Sequence, residues 1–131
     1  MKKNITKKLS DFEKAVINLR AVKQENLNEL EQDGLITRFN LAYETGWKLL
    51  RELILQKGLD RCDSPRDVFK YAIKMGWIEN EQLWMDMIED RNITIHTYDG
   101  TYSRTVVNDL PVFLDSFEKL LQTMKIKIAE L

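Results

Sequence analysis

Leu83-Trp84-Met85-Asp86-Met87-Ile88-Glu89-Asp90-Arg91-Asn92-Ile93-Thr94-Ile95-His96-Thr97-Tyr98 carries an apolar stripe with a charge set into it. At about 100° per residue, Trp84, Met87, Ile88, Ile95 and Tyr98 fall within roughly 60° of Arg91, so an amphipathic helix has an arginine in the middle of its apolar face. A guanidinium left uncompensated there costs several kcal/mol. Three outcomes satisfy it: a bridge to a carboxylate such as Glu44 or Asp90, snorkelling at a bundle end, or a place lining a wet cleft.

Outward from this stretch the same helical period recurs. A start at about Glu79 opens its helix, and Asp99-Gly100 ends it. Upstream, Asp63-Ser64-Pro65 reads as an N-cap followed by proline in the first turn, opening a short helix that buries Val68, Phe69, Ala72 and Ile73 and closes at Gly76. Before that, Leu35, Phe39, Ala42, Tyr43, Gly46, Trp47, Leu50 and Ile54 mark a long helix that stops at Lys57-Gly58. The first helix is expected from Leu9 to Leu30, with Asp33-Gly34 as the break that makes helices one and two an antiparallel hairpin. Downstream, Val106, Leu110, Phe113, Phe117, Leu120, Leu121, Met124 and Ile128 form the last helix, which Pro111 is expected to kink or restart. The pattern predicts an all-α protein, an up-and-down four-helix bundle with an extra short helix. With 131 residues, it is expected to be a single domain over 1–131.

Composition narrows the function. Twenty Lys and Arg against 21 Asp and Glu give a formal charge of −1, so there is no global basic footprint for nucleic acid and any such site must be local. The run Lys2, Lys3, Lys7 and Lys8 reads as a solvated face. One cysteine, Cys62, and one histidine, His96, exclude an intrachain disulfide and a Cys/His zinc site. No metal and no cofactor are expected. No apolar run approaches the roughly 20 residues of a membrane span, and the N-terminus lacks the apolar core of a secretory signal, so a cytoplasmic protein without membrane contact is expected.

Arg91, Asn92, His96 and Tyr98 bring together a fixed cation, an amide, a group titrating near neutral pH and a phenol. That complement suits phosphate chemistry. His96 lies about 140° from Arg91 on an ideal helix, so the two address one phosphate only if the helix ends or distorts between them, or if a two-fold-related copy supplies the missing partner. A dimer-interface cleft is the expectation. Trp47, Trp77 and Trp84, at helical spacing on apolar faces, are read as packing residues and not as base-stacking platforms.

Arg91-Asn92-Ile93-Thr94-Ile95-His96-Thr97-Tyr98 resembles the Arg-x4-His-x-Tyr signature of HEPN domains, specifically the HepT-like group, also named the nucleotidyltransferase substrate-binding protein family. Further matching stretches are Gly34-Leu35-Ile36-Thr37-Arg38-Phe39, Tyr43-Glu44 with Trp47-Lys48, Ser64-Pro65-Arg66-Asp67-Val68 and Leu83-Trp84-Met85-Asp86-Met87, so nearly the whole chain takes part. Thr45-Gly46 departs from the larger residues expected there; a close helix approach would explain the glycine.

The resemblance implies a helical-bundle homodimer that acts beside a minimal nucleotidyltransferase as the toxin of a toxin–antitoxin pair, cutting RNA without a metal. By that resemblance Arg91 would bind the scissile phosphate, His96 would be the general acid or base, and Asn92 would orient the phosphate or His96. Tyr98 would accept AMP from the partner, silencing the cleft. Tyr102 and Arg104, just past the motif, are read as additional RNA or nucleotide contacts. The older family name implies the alternative, a non-catalytic nucleotide- or substrate-binding subunit of a nucleotidyltransferase.

Overall fold

A computed structural model describes residues 2–58, 62–96 and 100–131, without the side chains of residues 2, 95, 96 and 100–105. Among the described residues there are five helices: α1 (Lys2–Arg20), α2 (Glu29–Gln56), α3 (Pro65–Lys74), α4 (Glu81–His96) and α5 (Gly100–Ala129). Among the described residues there is no strand. This is the expected all-α bundle with one short helix.

The boundary between the first two helices differs from the sequence expectation. α1 stops at Arg20, and α2 begins well before Asp33-Gly34. The start signal is a capping box at Asn28. Its Oδ1 accepts the Glu31 backbone N–H at 2.8 Å, and the Glu31 carboxylate accepts the Asn28 backbone N–H at 3.0 Å, satisfying two otherwise orphaned donors. Gly34 then lies inside the helix. Its modest propensity cost, about 1 kcal/mol relative to alanine, is too small to break a helix already capped and carrying a buried stripe from Leu35 to Ile54.

The stops at Lys57-Gly58 and Gly76 and the start at Ser64-Pro65 fall where they were read, while Asp99 of the expected Asp99-Gly100 stop lies outside the described residues. Ser64 caps α3, its hydroxyl accepting from the Asp67 N–H, with Pro65 in the first turn. Gly76, at φ 75°, takes the left-handed conformation that ends the helix. α4 is opened by Asn80, whose Oδ1 accepts the Leu83 N–H. α5 runs through Pro111 without restarting.

Pairings across the seams fix the topology. Phe12 meets Gly46 and the Asn18 carbonyl accepts from Arg38, so α1 and α2 run antiparallel. Arg91 pairs with Glu44, and Thr94 contacts Asn40, so α4 runs antiparallel to α2. Trp84 contacts Phe117 and Asp90 reaches Asp109, so α5 runs antiparallel to α4. Lys125–Glu13 and Arg20–Glu118 ion pairs tie α5 back to α1.

The core is an aromatic chain to which every helix contributes. Phe12 of α1 packs edge-on to Phe117 of α5; Phe39 of α2 stacks on Phe113; Tyr43 of α2 meets Phe69 of α3; and Phe69 lies 4.9 Å from Trp84 of α4. Trp77 and Trp84 are buried, as packing residues should be, while Trp47 is only partly so. Gly46 permits the α1–α2 approach, since a Cβ there would lie 2.9 Å from Phe12 Cε1. That close contact accounts for Gly46.

Candidate functional site

The site is built on the seam between α2 and the last turns of α4. Residues 40, 43, 44, 47 and 48 follow helical spacing on α2, so one edge of that helix presents an amide, a phenol, a carboxylate, an indole and an amine together. Opposite them α4 supplies Arg91 and Thr94.

Arg91 is held from two directions. Its Nη2 donates to Glu44 Oε1 at 2.6 Å, with 22% of the Arg91 side chain and 31% of the Glu44 side chain exposed. Its Cζ stands 5.4 Å from the centroid of the Tyr43 ring, a cation–π distance. Of the outcomes open from sequence, the bridge to Glu44 is the one realised, and Asp90 is not the partner. The pairing is incomplete, because Arg91 Nε is buried without an acceptor. The guanidinium therefore keeps unused donor capacity beside a partly exposed carboxylate.

Glu44 serves more than Arg91. Its Oε2 accepts from the Trp47 indole N–H at 3.2 Å and pairs with Lys48 Nζ at 3.5 Å. One carboxylate thus fixes a guanidinium, an indole and an ammonium at one edge of the seam. Below it, Tyr43 is 2% exposed. Burial pushes its phenol up to about 12, with the Arg91 charge pulling the other way, so the ring is a neutral floor under the cation. The Thr94 hydroxyl donates to the Arg91 carbonyl at 2.7 Å and lies 3.2 Å from Asn40 Oδ1.

Asn92 is exposed. His96 is the last residue of α4, so the helix neither ends nor breaks between Arg91 and His96. Along that helix the two positions are separated by about 7.5 Å of rise and about 140° of rotation. The His96 side chain and those of Tyr102 and Arg104, on the first turns of α5, are outside the description, and Tyr98 lies outside the described residues.

The sequence reading named Glu44 only as one of two partners for Arg91, and it missed the grouping of Tyr43, Trp47 and Lys48 around that pair. The signal was present as the spacing Glu44-x-x-Trp47-Lys48, but it becomes a site only when α4 is laid across it. Asp90 was also missed as a buried group. It is 8% exposed, the one buried charged residue among those described. Among the described residues no cluster of three or more His, Cys, Asp or Glu could hold a metal ion, and no helix is long and apolar enough to cross a membrane.

Comparison with known proteins places this geometry in a family. Residues 7–126 match the family described as nucleotidyltransferase substrate binding protein like. A Haemophilus influenzae protein named probable ribonuclease HepT is 27% identical over 96 residues, which is 70% of this chain and 66% of that protein; the chain thus spans just under two thirds of that relative's length. A Thermus thermophilus protein known from its crystal structure is 28% identical with a TM-score of 0.81, over 86% of this chain and 98% of that one. The tri-AMPylated Shewanella oneidensis HEPN toxin, solved in complex with its MNT antitoxin, shares the fold at 21% identity and a TM-score of 0.76, over 93% and 96% of the two chains. With nearly its whole length matched and the bundle reproduced, the chain belongs to the nucleotidyltransferase substrate binding protein-like family.

Proposed function

We propose that this chain is the toxin of a toxin–antitoxin pair, a metal-independent endoribonuclease that works as a homodimer and is silenced by a cognate minimal nucleotidyltransferase. The observation that carries the reading is Arg91: a cation set in the seam, held by Glu44 over the Tyr43 ring and with 22% of its side chain still exposed to a ligand. The naming of relatives as a ribonuclease HepT and a HEPN toxin supports the same reading.

In this mechanism Arg91 binds the scissile phosphate and stabilises the charge that develops on its oxygens. His96 takes the proton of the ribose 2′-hydroxyl as its oxygen attacks phosphorus, or returns a proton to the departing 5′-oxygen. The new bond is O2′–P and the bond broken is P–O5′, so water and metal are not reactants. Asn92, exposed next to Arg91, orients the phosphate or the imidazole. Because α4 stays helical through His96, the Arg91 and His96 positions diverge on one helix, which favours a cleft completed by a second copy. Tyr102 and Arg104 extend it as RNA contacts. Tyr98 is the proposed AMP acceptor, a modification the Shewanella toxin's description records for that protein. The whole chain acts as one domain in the cytoplasm.

The test is RNA cleavage by purified protein in the presence of a chelator, with Arg91→Ala and His96→Ala prepared in parallel to control for contaminating nuclease. Each substitution is expected to lower cleavage by about 100-fold or more. Intact RNA with the wild-type protein, together with saturable nucleotide binding that Arg91→Ala abolishes, would instead establish the second reading, a substrate-binding subunit, which the family's own description favours.

A further inference from the structure

Asp90 is turned away from Arg91, into the seam between α4 and α5. It is 8% exposed, and its Oδ2 is buried with no hydrogen-bond donor in reach. The group that meets it is the Asp109 carboxyl of α5. Two carboxylates cannot hydrogen-bond to each other unless one holds a proton. The other charges around Asp90 make the problem worse. Asp86 and Glu89, on α4 itself, add negative charge. On the remaining neighbouring helices, Glu44 of α2 is occupied by Arg91, and Arg66 of α3 reaches the sulfur of Met85. Among the described side chains no cation compensates the pair.

We propose that Asp90 is a positioning residue for Arg91: Asp90 and Asp109 share one proton across the α4–α5 seam, and this bond fixes the turn of α4 that carries Arg91. When the shared proton leaves to solvent, two like charges face each other in a buried seam and the bond becomes a repulsion. The seam relieves this by opening, and the turn it anchors includes Arg91. Burial and the Asp109 neighbour raise the Asp90 carboxyl to about 7, which sets the change near neutral pH. The device thus sits one residue from the cation that addresses phosphate in the proposed reaction. Its consequence for cleavage rests on that reading; its existence does not.

The experiment is hydrogen exchange with a structural readout at Arg91. Protection of the backbone amides of 88–94 and 106–112, corrected for intrinsic rates, is compared between about pH 6 and about pH 8.5. The Arg91 Nε–H resonance is followed over the same range. The wild-type protein is expected to lose about tenfold in protection in both segments, with a matching shift of the Arg91 signal. Asp90→Asn, an amide that donates to Asp109 at any pH, is expected to abolish both changes. Asp109→Asn supplies the same test from the other side if the first variant folds poorly. His96→Gln controls for the other group that titrates in this range and is expected to retain the transition. Wild-type protection independent of pH, or a transition lost in His96→Gln and kept in both asparagine variants, would overturn the proposal. No outcome depends on RNA being cut, so failure here is separable from failure of the ribonuclease reading.

Discussion

Asp90 and Arg91 are consecutive residues that α4 sends into two different seams, with opposite electrostatic results. On the α2 side Arg91 finds the Glu44 carboxylate at 2.6 Å and an aromatic ring beneath it. On the α5 side, among the described side chains, Asp90 finds only another carboxyl. A charge carried into a helix seam is held by a counter-ion where the facing helix supplies one, and by a proton where it does not. The first arrangement relies on a guanidinium, a group that proteins do not deprotonate; the second relies on a proton that leaves near neutrality. One face of α4 is therefore a durable platform, and the other is sensitive to pH.

The sharpest way to break this contrast is Glu44→Ala, which strands Arg91 over Tyr43 and frees Trp47 and Lys48 at once. A fully buried pair broken this way costs about 3–5 kcal/mol. With 22% and 31% of the side chains exposed, about 2–3 kcal/mol is expected after solvent screening. Urea denaturation measures it. A loss below about 0.5 kcal/mol would mean that Arg91 simply swings into water, and the two seams would then not differ in kind.

Asp90→Asn probes the other seam, and its effect has a sign that depends on pH. The Asp90 carboxyl is raised from 3.8 to about 7, so between those values the folded protein holds a proton that the unfolded chain has released. Stability is therefore full below about pH 4, falls as pH rises through the window, and is lowest above about pH 7. The asparagine variant cannot ionise. It should match the wild type near pH 4 and exceed it by up to about 4 kcal/mol at pH 8, as melts across that range would reveal. Parallel pH profiles for the two proteins would remove the distinction between the seams.

These two seams also mark what could be read from the sequence. The 3.6-residue period gave α2, α4 and α5, and Ser64-Pro65, Gly58 and Gly76 punctuated the chain correctly, because helix ends are chemically local. The α1–α2 boundary was misplaced because Asp33-Gly34 looks like a stop, whereas the real signal was Asn28 with Glu31 three residues on. Arg91 stood out because it interrupts an apolar stripe, and Glu44 was within the set of partners that charge alone suggests. Asp90 did not stand out. On a helix wheel it lies about 100° from Arg91, at an edge normally left to solvent, and only the packing of α5 buries it. The meeting with Asp109 depends on register between two helices, which one strand of sequence does not encode in any local pattern.

How deeply α2 can settle is the next lever, since its position sets where Glu44 meets Arg91. Gly46→Ala offers a contest of two small effects. Alanine gains about 1 kcal/mol of helix propensity, but its Cβ would sit 2.9 Å from the ring of Phe12, which is fully buried. Overpacking of this kind costs about 1–3 kcal/mol, so a net loss of about 1 kcal/mol is expected in urea denaturation. A net gain would show that α1 can yield, and that Arg91 is not referenced to the α1–α2 contact.

Tyr43→Phe should do least, and its smallness is informative. The ring under Arg91, its 5.4 Å cation–π contact and its packing against Phe39 and Phe69 all remain; only the hydroxyl is removed. Since burial holds the phenol up to about 12, that hydroxyl carries no charge at any pH where the protein would work, and it cannot serve as a counter-ion to Arg91. A stability change within about 0.5 kcal/mol is expected, with an unaltered pH profile. Tyr43→Leu, which keeps apolar bulk but loses the ring face, should cost about 1 kcal/mol more through the cation–π and aromatic contacts. If instead the phenylalanine variant shifts the pH profile as Asp90→Asn does, the α2 seam also contains a titrating element, and the division of α4 into a durable face and a proton-dependent face is wrong.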